Sequence, residues 1–193
     1  MLTLPESSQT YATIVGIDPG TETLGFAELD FDIRTFEIVG WRAQTYYGSK
    51  LLKGSDWVAE VHGARYKRLQ AHRKNLIKLF EQIEPYVIAC EAPFINMRRP
   101  QAYGALTEAV YEIRLAVQAH CAWKELYLFD PSSVKNAIGA KGNADKDAVK
   151  ASILKIKELS SVQPGVLEGL DEHSLDSLAV AYVAYQQLKL NVQ

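Results

Sequence analysis

The sequence predicts an α/β fold: a mixed five-stranded sheet, its first three strands antiparallel and its last two parallel, flanked by helices. Three observations predict it. Three short β-rich runs follow one another near the start, at 12–18, 24–30 and 35–43, with only turns between them. Two more, at 86–91 and 125–129, alternate with long helical patterns, as parallel strands do. The chain then closes on a helix, 172–190, that is apolar nearly all round and so belongs in a core.

The first strand rests on Ile14, Val15 and Ile17, residues that suit a pleated, buried surface. Pro19 and Gly20 stop it and force a turn into the second strand, which makes a hairpin. The third strand extends that hairpin as a meander. A helix is expected over 56–83, then the strand 86–91, a helix over 101–123, the strand 125–129, and helices over 132–138, 143–159 and 172–190. The irregular stretches are 48–55, 93–100, 139–143 and 160–169, and loops of this kind on a rigid scaffold often carry binding. Three antiparallel strands followed by two with crossing helices is the ribonuclease H-like arrangement.

The chain has 193 residues, 48% hydrophobic and 23% charged, which suits one globular domain at 12–193 after a loose arm at 1–11. No apolar run is long enough to span a membrane, and the first residues have neither the basic nor the apolar part of a secretory signal. Cys90 and Cys121 sit in apolar segments and read as buried free thiols of a reducing compartment. The net charge of −2 does not announce a polyanion partner, but its distribution suggests one. Residues 64–78 hold six Lys/Arg and no acid, and 134–157 carries six lysines against Asp145 and Asp147. These runs are either solvated faces or phosphate contacts around an acidic centre.

The acids carry the chemistry. Asp18 ends the first strand and Glu91 ends the fourth, each directly or closely followed by a proline. Both are therefore strand-tip carboxylates on a rigid sheet. Asp176 is the anomaly of the closing helix, because an ionised carboxylate in an apolar helix is costly unless paired or bound to a metal. His173, three residues earlier, shares its helix face. Two distant strand tips and one helix face suggest a shared metal site. Each has a plainer reading: a turn cap for Asp18, a solvated strand end for Glu91, a structural hydrogen bond for His173. Asp171 reads as the helix N-cap and Glu172 as a first-turn charge on the helix dipole.

Four segments together resemble the RuvC-type Holliday-junction resolvases of the ribonuclease H-like superfamily. They are Gly16-Ile17-Asp18-Pro19-Gly20 with Leu24-Gly25-Phe26-Ala27; Glu91-Ala92-Pro93-Phe94; Pro131-Ser132-Ser133-Val134-Lys135 with Lys146 eleven residues on; and His173-Ser174-Leu175-Asp176-Ser177-Leu178-Ala179. They occur in the family's order and at similar spacing. Residues 1–11 and 44–56 depart from the pattern, as do the extra acids Asp171 and Glu172. The departures point to a phage-encoded or divergent member working in the bacterial cytoplasm.

The resemblance implies a metal-dependent DNA endonuclease that resolves four-way junctions by paired symmetric nicks, leaving 5′-phosphate and 3′-hydroxyl ends. Two divalent cations about 4 Å apart would activate water and stabilise the leaving oxygen. Mg²⁺ suits oxygen donors, and an imidazole ligand makes Mn²⁺ an acceptable substitute. Asp18, Glu91, His173 and Asp176 are the implied ligands, with His173 able instead to orient the attacking water. Lys146 would stabilise developing charge and, with Lys135, contact phosphates. Phe94 would stack on an unpaired base at the branch point, or else pack in the core, and Arg98 and Arg99 would grip the backbone. Paired nicks on a two-fold substrate imply a homodimer. Its contact would use Ala105, Leu106, Ala109, Val110, Ile113 and Val117 of the helix 101–123, unless these pack on the sheet. Competing functions are a junction-binding protein that does not cut, and a ribosomal-RNA-processing nuclease of the same fold. An actin-like ATPase would need a second phosphate-gripping glycine turn and a longer chain.

Overall fold

The computed structural model describes residues 10–51, 56–95 and 100–192. Strands β1 (Tyr11–Asp18), β2 (Thr23–Asp32) and β3 (Ile38–Tyr47) come first. Helices α1 (Gly48–Leu51), α2 (Asp56–His62) and α3 (Ala64–Ile83) lead to β4 (Val87–Glu91), then α4 (Pro100–His120) and β5 (Leu126–Phe129). The chain ends with α5 (Pro131–Ala137), α6 (Lys146–Ile153), α7 (Lys157–Ser160), a 3₁₀ turn at Leu167–Gly169, and α8 (Glu172–Val192).

Among the described residues the five strands form one sheet in the order β3-β2-β1-β4-β5. The β1–β2 and β2–β3 pairs are antiparallel; β1–β4 and β4–β5 are parallel. This is the mixed sheet that the sequence predicts. Alternation along β1 divides the interior in two. Ala12 and Ile14 face the core built by α5, α6 and α8, whereas Val15 and Ile17 face the core under α3 and α4. The same division in β4 puts Val87 and Ala89 on the α8 side and Ile88 and Cys90 opposite. Asp18 and Glu91 continue the α8-side alternation to the ends of neighbouring parallel strands.

Helix α8 lies directly on β1 and β2 because two strand positions have no side chain. A Cβ on Gly16 would stand 2.2 Å from the Ser177 carbonyl oxygen, and one on Gly25 would stand 2.1 Å from that of His173. These contacts bring the first turn of α8 down to the strand tips. Leu178, Val180, Ala181 and Ala184 of α8 are fully buried, as its apolar circumference requires.

Several boundaries differ from the sequence reading. Tyr11, the last residue of the expected arm, already belongs to β1; residues 1–9 lie outside the described residues. The third strand starts at Ile38 rather than at 35 and runs to Tyr47. The Asp32 carboxylate accepts from the N–H groups of Arg34 at 2.7 Å and Thr35 at 3.0 Å, which holds 33–37 as a turn, and Phe36 takes a left-handed φ of 55°. The helix expected at 56–83 is two, broken at Gly63, whose φ is 89°. That at 143–159 is also two, because Ile156 is extended; the bend lets Ile153, Ile156 and Leu159 all enter one core. The helix over 101–123 stops at His120.

Candidate active site

The parallel register pairs Ile17 with Cys90, so the next residues, Asp18 and Glu91, leave the sheet side by side. The first turn of α8 hangs above them and carries His173 and Asp176. All four line one pocket of about 580 Å³, with Phe94, Lys135 and Lys146 also in its wall. The structure thus brings together seven of the nine residues singled out for the site. The other two, Arg98 and Arg99, lie outside the described residues.

The three carboxylates crowd one another. Burial pushes Glu91 up to about 8, and the charges of Asp18 and Asp176 push in the same direction. Asp176 rises to about 7, again through burial first and then through Asp18 and Glu172. Burial also raises Asp18, against the opposing pull of its hydrogen bond to His173. Raised carboxyls that share one cleft are a mark of functional sites, because nothing in folding alone rewards packing like charges together.

His173 is fastened at both ring nitrogens. Nδ1 donates to the Asp18 Oδ2 at 2.7 Å, and Nε2 lies 2.9 Å from the Thr23 hydroxyl. The Asp18 carboxylate raises the imidazole's pKa by that hydrogen bond, although partial burial opposes it. Thr23 was not legible as a site residue: it opens β2, and its partner is 150 positions away. Asp171 behaves as the N-cap expected of it. Its Oδ1 accepts from the Ser174 N–H at 3.0 Å, and its Oδ2 accepts from the Ser174 hydroxyl at 3.0 Å. The Thr45 hydroxyl also donates to it, at 2.5 Å, which ties β3 to the start of α8. Glu172 differs from the expectation of a simple dipole charge, since its carboxylate forms an ion pair with the Lys146 ammonium.

The lysines are held by the chain itself. Lys135 Nζ donates to the Ala144 carbonyl at 3.0 Å, and its charge lowers both Glu91 and Asp176. The Lys146 charge lowers Asp18. Phe94 is 45% exposed at the pocket wall, so it is not a core residue.

As placed, no group of three or more Asp, Glu, His or Cys side chains among the described residues converges on a point where an ion would sit. Asp18 Oδ2 is instead turned to His173. The donors nevertheless fit a divalent cation by their chemistry. They are hard carboxylate oxygens, largely buried, and their mutual repulsion is what a bound cation would relieve.

No protein-family model matches the chain. It is 30% identical over 170 residues to the crossover junction endodeoxyribonuclease RuvC of Chlamydia caviae, spanning 87% of this chain and 89% of that one. Its fold is like that of Thermus thermophilus RuvC, with a TM-score of 0.64 at 20% identity over 93% of this chain and 96% of that one. The same protein in complex with a Holliday junction substrate superposes equally well, with a TM-score of 0.64 at 18% identity and the same coverage. The yeast mitochondrial Holliday junction resolvase follows, with a TM-score of 0.59 at 15% identity over 95% of this chain and 83% of that one.

Proposed function

Since the chain belongs to the RuvC family of crossover junction endodeoxyribonucleases, we propose that it cuts branched DNA, four-way junctions above all, by paired symmetric nicks. The observation that carries this is the set Asp18, Glu91 and Asp176, half-buried together at two strand tips and a helix turn and lining one pocket, each with a raised pKa. A protein that only bound junctions would gain nothing from acids beside phosphate, which disfavours the non-cutting alternative.

Divalent cations, Mg²⁺ or Mn²⁺ and two per site, would be held by Asp18, Glu91 and Asp176 with His173, and would supply Lewis acidity and an activated water for phosphodiester hydrolysis with 5′-phosphate and 3′-hydroxyl products. The chain's own residues do the rest. Asp18 and Glu91, on rigid strands, fix the position of the centre. His173 holds the outer oxygen of Asp18 and is placed to steer a water towards phosphate. Lys135 and Lys146 keep positive charge at the wall, where a phosphate backbone enters an otherwise acidic pocket. Phe94, exposed beside Glu91, offers a ring for an unpaired base. Arg98 and Arg99 would grip the backbone next to it.

The residues from 12 onward form one nuclease domain, and two copies pair across the two-fold axis of the junction. Four of the six positions named for that contact, Ala109, Val110, Ile113 and Val117, are buried inside the protomer. Val110, Ile113 and Val117 pack on the sheet, so a dimer built on α4 would use its exposed stripe, Gly104, Thr107, Tyr111, Arg114 and Gln118. No described helix is long and apolar enough to cross a membrane. A DNA substrate puts the work in the bacterial cytoplasm.

The test is strand-by-strand mapping of cuts in a synthetic four-way junction with a mobile core, with duplex, fork and flap DNA and structured RNA alongside. Paired cuts at symmetric positions are expected. Equal cutting of forks and flaps would make it a general debranching nuclease, and cutting of RNA alone would make it an RNA-processing enzyme.

A further inference from the structure

Thr23 is not among the acids, yet its hydroxyl lies 2.9 Å from His173 Nε2, on the side of the ring away from Asp18. The other nitrogen, Nδ1, is 2.7 Å from Asp18 Oδ2. A half-turn of the imidazole about its Cβ–Cγ bond exchanges Nδ1 with Cδ2 and Nε2 with Cε1, so a partner at Nε2 keeps Nδ1, rather than a ring carbon, towards Asp18. In this chain that partner is set by the backbone. Thr23 opens β2, where it pairs with Tyr47 of β3, and the turn before it is tight: a Cβ on Gly20 would stand 2.1 Å from the Thr23 carbonyl oxygen. The His173 end is equally fixed, because Gly25 lets the His173 carbonyl approach β2 closely.

We propose that Thr23 is a positioning residue: its hydroxyl holds Nε2 of His173 and so makes Nδ1 the nitrogen offered to Asp18 and to the centre beyond it. A hydroxyl is suited to this task because it both donates and accepts. It donates to a bare Nε2 while Nδ1 carries the proton given to Asp18. It accepts from a protonated Nε2 when Nδ1 is bare, the form in which Nδ1 is a ligand. A carboxylate or an ammonium in its place would support one of these states and oppose the other. Ligating histidines commonly have their second nitrogen fixed in this way, and losing the fixing group typically weakens metal binding about 10–100-fold. The inference rests on the reading that His173 belongs to the cation-holding set.

The experiment compares the full-length chain with Thr23→Val and Thr23→Ser. Valine keeps the branched shape and the strand preference of threonine but has no hydroxyl; serine keeps the hydroxyl. Mn²⁺ is titrated calorimetrically into each protein without DNA, and ¹⁵N-imidazole spectra are recorded without metal, His173 being assigned by the signal lost in His173→Gln. The expected result is an Mn²⁺ Kd raised at least about tenfold in Thr23→Val and within about twofold of the parent in Thr23→Ser. The Nε2 resonance of His173 should move in Thr23→Val and stay in Thr23→Ser. Unchanged Mn²⁺ affinity and an unmoved Nε2 resonance in Thr23→Val would overturn the proposal. If Thr23→Val does not fold, the parent spectrum decides, and a His173 Nε2 free of any hydrogen bond would overturn it as well. Failure of the DNA-cutting reading would show separately, as a parent protein that binds Mn²⁺ through His173 and nicks no nucleic acid.

Discussion

Burial and two neighbouring carboxylates take Glu91 far from the chemistry of an exposed side chain. Its ordinary pKa of 4.5 is lifted to about 8 in the folded chain. Between those values the folded protein binds more protons than the unfolded one, so stability falls as pH rises. The contribution is full below about 4.5 and gone above about 8. Asp176 acts in the same direction between 3.8 and about 7. The metal-free protein should therefore melt at lower temperature as pH rises from about 5 to 8, and Mg²⁺ should restore part of the loss by binding the folded form. Glu91→Gln should melt higher than the parent at pH 8 in chelator and should lose the Mg²⁺ effect. Thermal denaturation with and without chelator measures both. A melting temperature that rises with pH over this window would refute the electrostatic picture of the pocket. At the same scale Lys146 has a double engagement, paired with Glu172 yet near enough to Asp18 to lower it.

The elements matter through how closely α8 can approach the strands. Gly16→Ala and Gly25→Ala would put a methyl group within 2.2 Å of a backbone carbonyl oxygen of α8. Neither backbone can yield cheaply, and overpacking of this kind costs about 1–3 kcal/mol or more. Urea denaturation should give that loss for each variant. Gly25→Ala should also lose activity out of proportion, because it displaces the turn that carries His173. The sequence reading had the five strands and their antiparallel-then-parallel arrangement, because buried β-branched runs and their punctuation are local signals; the lateral order β3-β2-β1-β4-β5 comes from the structure. The sequence reading also placed Asp18, Glu91, His173 and Asp176 in one site, because strand tips and an apolar helix with one acid are local signals too. It missed what depends on partners far along the chain: the Thr23 contact with His173, and the Glu172 pair with Lys146. It placed β3 early because the turn at 33–37 is held by an Asp32 side chain, while the polar edge 44–47 carries no apolar alternation. The two broken helices have different causes: Gly63 is exposed and takes a φ of 89° that interrupts the helix, whereas the bend at Ile156 brings Ile153, Ile156 and Leu159 into the core.

At the scale of the whole molecule, the four-way junction proposed as the substrate has two-fold symmetry, whereas each protomer carries one set of the acids Asp18, Glu91 and Asp176. Sedimentation at micromolar concentration should give a dimer. Tyr111→Arg, on the exposed stripe of α4, should give a monomer with an unchanged melting temperature, since that side chain is 60% exposed in the protomer. Such a monomer should nick junctions on single strands and lose the pairing of cuts. A monomeric parent would contradict the symmetric mechanism. The acids at the strand tips are proposed to cut DNA rather than merely to accompany it. The direct test is the nicking of a four-way junction in Mg²⁺ by the parent and by Asp18→Asn, with binding followed in parallel by gel retardation in Ca²⁺. Asp18→Asn is expected to bind the junction as tightly as the parent and to cut it about 10²–10³-fold more slowly, the scale lost when a charge-stabilising group leaves an active site. Cutting by Asp18→Asn at the parent rate would contradict that role.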